Sequence, residues 1–191
     1  MRHRRPRLAV LTALLALVAA ACSQGASTPA AGAAVELDQG DVRLVTASVG
    51  GRPSGWIVDR ADLLDPREEA RLAARLDAHE AASSDQIIVV TVTNVQGMAI
   101  ERFGYTLGNH WGVGRADADN GVLMILALED RKIRIEVGSG LERILTDDRA
   151  AQIIQLMRPQ LVASDFAGAV DRGTAEIIAT LRANVERRHA A

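Results

Sequence analysis

Six oxygen-bearing side chains are the strongest chemical candidates in this chain: Asp59, Asp117, Asp119, Asn120, Glu129 and Asp130. All fall in loops or at strand ends, where side chains from distant parts of a chain can converge. Several carboxylate and amide oxygens in flexible loops suit a hard cation such as calcium. Asp117-Ala118-Asp119-Asn120-Gly121 begins like an EF-hand loop, but the distal bidentate glutamate is absent at the required spacing. The competing reading is a solvated turn in which Asn120-Gly121 supplies positive φ. Glu136 and Glu142 make a second acidic pair around Gly138-Ser139-Gly140. Glu136 can equally alternate outward and pair with Lys132 or Arg134.

Other chemistries are thinly represented. HExxH, GxSxG and GxxxxGK[ST] do not occur. Gly108, Gly112 and Gly114 do not follow a strand, and the Gly138–Gly140 turn is too short for a dinucleotide fingerprint. Cys22 is the only cysteine, so the domain has neither a disulfide nor a thiol nucleophile. The four histidines, His3, His79, His110 and His189, are scattered. His79 and His189 read as solvated surface, His110 as a core or capping residue, and Trp111 as core.

The elements that must position the acids follow from periodicity. Val122 to Leu128 is a short apolar run, too short for a typical helix and best read as a buried strand. Glu129-Asp130-Arg131 breaks it, and strict alternation from Lys132 to Val137 marks a half-exposed strand, so the pair forms an antiparallel hairpin. Asp65-Pro66-Arg67-Glu68 supplies a cap, a first-turn proline and a capping box for a helix to about Ala82, with Leu72 and Leu76 buried. Gln86 to Thr93 reads as a central strand covered on both faces. Met98 to His110 places Ala99, Phe103 and Leu107 on one helical face. Asp147 or Asp148 opens a helix carrying Ile153, Met157 and Leu161, which Pro159 should kink or shorten. A last helix from about Phe166 carries Val170, Ile177, Leu181 and Val185. Val42 to Val45 reads as a short strand. Ile88, Val90, Leu123, Ile125 and Leu128 are the expected core. Strands interspersed with helices give one α/β domain with helices on both sheet faces. Strand starts and ends can lie at opposite sheet edges. If Asp59 is far from Asp119, then Glu129 and Asp130 become its companions.

Five motifs carry a family resemblance: Val58 to Leu64, Ile87 to Val92, His110 to Gly114, Asp119 to Val122 and Arg131 to Glu142. Their order and spacing resemble the TPM domain, a family named for a thylakoid lumen phosphatase and related membrane-complex proteins, over roughly Trp56 to Leu181. The resemblance implies an α/β sandwich around a roughly four-stranded mixed sheet and calcium binding through acidic loops. Asp59 and the Asp119-Asn120 pair fall in matching motifs. The family commonly has an aromatic where this chain has Ser139 and a glycine where it has Arg143.

The N-terminus gives location. Arg2, Arg4, Arg5 and Arg7 precede the apolar run Leu8 to Ala21, which ends in Ala19-Ala20-Ala21-Cys22. A basic n-region, a short h-region and small residues before a cysteine read as a lipoprotein signal over 1–21, with Cys22 lipidated. Residues 22–51 then hold the lipidated cysteine and a flexible tether, of which Ser23 to Ala34 is Ala, Ser, Gly and Pro only. Residues 52–188 form the domain. Losing four arginines with the signal takes the net charge from −2 to −6, which argues against nucleic acid. The protein is therefore expected on a cell membrane or outer membrane, facing the extracytoplasmic side. Two functions fit. One is a non-catalytic, possibly calcium-binding helper for a membrane or envelope protein complex. The other is a metal-assisted acid phosphatase, an activity attributed to plant relatives, with Arg115, Arg131 and Arg143 as the cations a phosphoryl group needs.

Overall fold

Alternation and apolar runs become a hairpin at the centre of the chain: strand β3, Gly121–Ala127, is buried throughout, and strand β4, Lys132–Val137, is partly exposed. They pair antiparallel, with Val122 opposite Val137 and Ala127 opposite Lys132. The computed structural model describes residues 37–189, with side chains to residue 183. The signal segment, Cys22, most of the tether, and the side chains of Val185 and His189 lie outside the described residues.

Two parallel strands complete the sheet. Strand β2, Gln86–Val92, pairs with β3, and the short strand β1, Ile57–Asp59, pairs with β2. The order is β1-β2-β3-β4, a four-stranded mixed sheet. β2 and β3 are apolar on both sides because helices cover both faces.

Helices α2 (Pro66–Ser83), α4 (Asp147–Val162) and α5 (Phe166–His189) cover one face. Their Leu72, Leu76, Ile153, Met157, Val170 and Ile177 pack on Ile87, Val89, Val122, Met124 and Ile135. Helices α1 (Gln39–Val49) and α3 (Ile100–Trp111) cover the other. There Val45, Val49, Phe103, Leu107 and Trp111 meet Ile88, Val90, Leu123 and Ile125. The result is an α/β/α sandwich. Asp65 caps α2, accepting from the Arg67 and Glu68 amides while the Glu68 carboxylate accepts from the Asp65 amide, the capping box expected there. α4 ends at Val162, within a turn of Pro159.

Several expectations change. Val42 to Val45 belongs to helix α1, not to a strand, and the ordered domain therefore starts before residue 52. Asp38 caps this helix through the Asp41 amide, and Val45 and Val49, one turn apart, are buried against α3. Burial between helices outweighs the β-propensity of an isolated valine pair. Leu128 is only half-buried, since the chain leaves the sheet there. His79 is fully buried rather than solvated. It continues the buried stripe of Leu72 and Leu76 on α2. His110, conversely, is exposed at the end of α3.

Candidate functional site

The topology divides the six acidic-loop residues between two edges of the sheet. Asp59 ends β1, and Glu129 and Asp130 follow β3, so all three lie at the carboxyl edge of the parallel strands. Asp117, Asp119 and Asn120 precede β3 and lie at the amino edge. Asp59 stands opposite Thr91, and Gly121 opposite Gln86, five positions apart along β2. At about 3.3 Å per residue the two groups are separated by roughly 16 Å along the strands.

At the carboxyl edge the acids hold loops. Asp59 accepts from the Leu64 amide at 2.8 Å and from the Thr91 hydroxyl, fixing the turn into α2. Glu129 accepts from the Asn94 amide group at 2.8 Å, and Asp130 from the Val95 backbone N–H at 2.8 Å. These two bonds tie the hairpin turn to the chain leaving β2. A groove of 820 Å³ opens beside them. Its floor includes Leu126, Ile133 and Leu161, and Arg131, Lys132 and Arg158 stand on its walls. Val162, at its rim, is 86% exposed. Among the described residues those three cations form no ion pair.

The amino edge is a tighter assembly. Asn120 is buried; its Oδ1 accepts from the Arg115 amide at 3.0 Å, and its Nδ2 donates to the Ser84 carbonyl at 2.8 Å and to Asp85 at 3.1 Å. One side chain thus joins three loop segments. Asp119 accepts from both the amide (2.9 Å) and the hydroxyl (2.6 Å) of Ser139. Asp117 is exposed and pairs only with Arg115. The positive φ expected at Asn120-Gly121 falls instead on Asp119, at 46°. Gly121 is required for another reason: a Cβ there would lie 2.2 Å from the Val113 carbonyl oxygen. A cavity of 380 Å³ sits here, lined by Tyr105, Asn109, Asp119, Ser139, Glu136 and Glu142 among others. Glu136 pairs with Arg134 at 2.8 Å, as its alternation suggested. Burial works to lower the Arg134 pKa, but the bond to Glu136 and the charges of Glu136, Asp147 and Glu101 raise it on balance. Glu136 and Glu142 were legible as a pair, but their meeting with Asp119 around one cavity was not, because it needs β4 to return to the start of β3.

Calcium requires several oxygens around one point. Among the described residues no group of three or more His, Cys, Asp or Glu side chains lies close enough to hold an ion. The acids at both edges already accept from N–H or O–H donors, so as arranged they do not fit such a shell. The cations of a phosphatase are likewise divided: Arg131 stands at the carboxyl edge, whereas Arg115 precedes β3 and Arg143 follows β4 at the amino edge.

Fold and loops define a class: an α/β/α sandwich whose polar residues gather at the two ends of a mixed four-stranded sheet. The chain belongs to the TPM domain family, whose model matches residues 57–180. Among solved structures it is similar to the N-terminal domain of a protein from P. gingivalis, with TM-score 0.65 and 28% identity over 76% of this chain and 90% of that one. It is also similar to the N-terminal domain of the cg2496 protein from Corynebacterium glutamicum, with TM-score 0.53 and 20% identity over 66% and 80% of the two chains. BA42 from the psychrophilic Bizionia argentinensis gives TM-score 0.54 and 21% identity over 62% and 81%. The last two likenesses speak for the fold alone. No curated protein matches the chain.

Proposed function

We propose that this protein is a non-catalytic binding module, held on the extracytoplasmic side of a membrane by a lipid on Cys22, that assists assembly or maintenance of a membrane or envelope protein complex. The observation that carries this reading is the carboxyl-edge groove: an apolar floor, an exposed Val162 and three cations without ion-pair partners among the described residues. Exposed apolar surface flanked by charge is what a protein partner covers. The acids beside it serve as clamps that keep the loops, and so the groove, in one shape. Calcium is not needed for that role.

The test uses the full lipoprotein in its own membranes. Cross-linking should trap a defined partner with the wild type and lose it with Val162→Glu, while both stay in the membrane fraction. Cys22→Ser should leave that fraction. Hydrolysis of a phosphomonoester by the purified lipoprotein, abolished by Asp59→Asn or Asp119→Asn, would overturn the reading in favour of a phosphatase.

A further inference from the structure

β4 is an edge strand, and its hydrogen-bond parity is fixed by its neighbours. The Gln86 amide donates to the Asn120 carbonyl and the Leu128 amide to the Val92 carbonyl, so even-numbered residues of β3 face β2. Its odd-numbered residues, Leu123, Ile125 and Ala127, therefore bond β4 through Glu136, Arg134 and Lys132, and the Gly138 amide continues this ladder to the Gly121 carbonyl at 2.8 Å. The main-chain groups of Ile133, Ile135 and Val137 point the other way. Among the described residues nothing pairs with them. The strand holds no proline, the usual means of blunting such an edge.

A trench follows this edge. At its Lys132 end lies the 820 Å³ groove, which includes Lys132 and Ile133 together with Arg131 and Arg158. At the other end a second hollow of 630 Å³ is lined by Arg134 to Val137 and by Glu142, Asp147 and Asp148. Those last three acids are exposed and, among the described residues, form no ion pair. One end of the edge is thus cationic and apolar, the other anionic.

We propose that β4 is extended by a fifth strand from the partner protein: an extended segment with alternating apolar residues, acidic at the end beside Arg131, Lys132 and Arg158 and basic at the end beside Glu142, Asp147 and Asp148. Main-chain bonds to Ile133, Ile135 and Val137 supply affinity, and the opposed charges set direction. A six-residue strand offers a rail of roughly 20 Å, enough for such a segment. This rests on the reading of the protein as a binding module and adds the shape and polarity of what it binds.

The probe is a capped heptapeptide with valine at alternate positions, glutamate at one end and lysine at the other, made in both sequence directions and added to the full-length lipoprotein in detergent micelles. Amide exchange is read by NMR. One direction should bind and slow exchange at Ile133, Ile135 and Val137, while the reversed peptide binds at least tenfold more weakly. Ile133→Pro removes an outward N–H without touching the ladder to β3, and should abolish binding with the fold retained. Should that variant unfold, Asp147→Lys with Asp148→Lys reverses the anionic end and should weaken the same peptide at least tenfold. Binding of neither peptide, or slow exchange at these amides before any peptide is added, overturns the proposal. The cross-linking result stands apart: a trapped partner with no peptide binding refutes the fifth strand alone, whereas peptide binding without a partner refutes the complex.

Discussion

His79 shows what burial does to a single titratable group. Its ring is without solvent contact; Nε2 lies 3.3 Å from the Ser83 hydroxyl, and Nδ1 has no partner. Burial lowers its pKa from the usual 6.5; Asp85 opposes the shift and Arg182 adds to it. The unfolded chain therefore takes up a proton at higher pH than the folded one. This contribution to stability is complete above about pH 6.5 and is lost as pH falls through the folded pKa. Urea titrations at about pH 7.5 and about pH 5 should show wild type losing stability on acidification, with the loss reduced in His79→Gln. An equal loss in both would mean that other groups dominate.

Close packing of loops is the lesson at the scale of elements. The turn after β4 runs against the turn before β3, and a Cβ on Gly140 would lie 1.9 Å from the Ala118 carbonyl oxygen. The same neighbourhood holds the Asp119–Ser139 bonds and the start of β3. Gly140→Ala must therefore displace one turn from the other. A destabilisation of about 1–3 kcal/mol by denaturant titration is expected, the usual range for overpacking. The departure at Ser139 fits the same picture, because its hydroxyl donates to Asp119 and so locks the turn that the glycines allow to approach.

For the whole molecule the question is whether a cation is part of the fold. A ligand that binds only the native state raises the melting temperature with concentration. With the acids divided between two edges and engaged with N–H and O–H donors, millimolar calcium should shift the wild-type melting temperature by less than about 1 °C. A clear rise that disappears in Asp59→Asn would place an ion at the carboxyl edge, with Glu129 and Asp130 as companions. A rise that disappears only in Asp119→Asn would place it at the other edge.

The sequence by itself determined the hairpin, the capped helix at Pro66, the buried β2 strand and the family, because each is written in local periodicity or in short motifs whose order is preserved. It also marked the oxygen-bearing loops. It misplaced His79 and the segment from Val42 to Val45, where the deciding contact comes from an element far away in the chain. Above all it could not say which acids meet. Parallel pairing of β1, β2 and β3 sends Asp59 and Asp119 to opposite ends of the sheet, while the antiparallel return of β4 brings Glu136, Ser139 and Glu142 to Asp119. Strand direction is a property of the assembled sheet, set by which helices must cross which face, and only the tertiary structure supplies it.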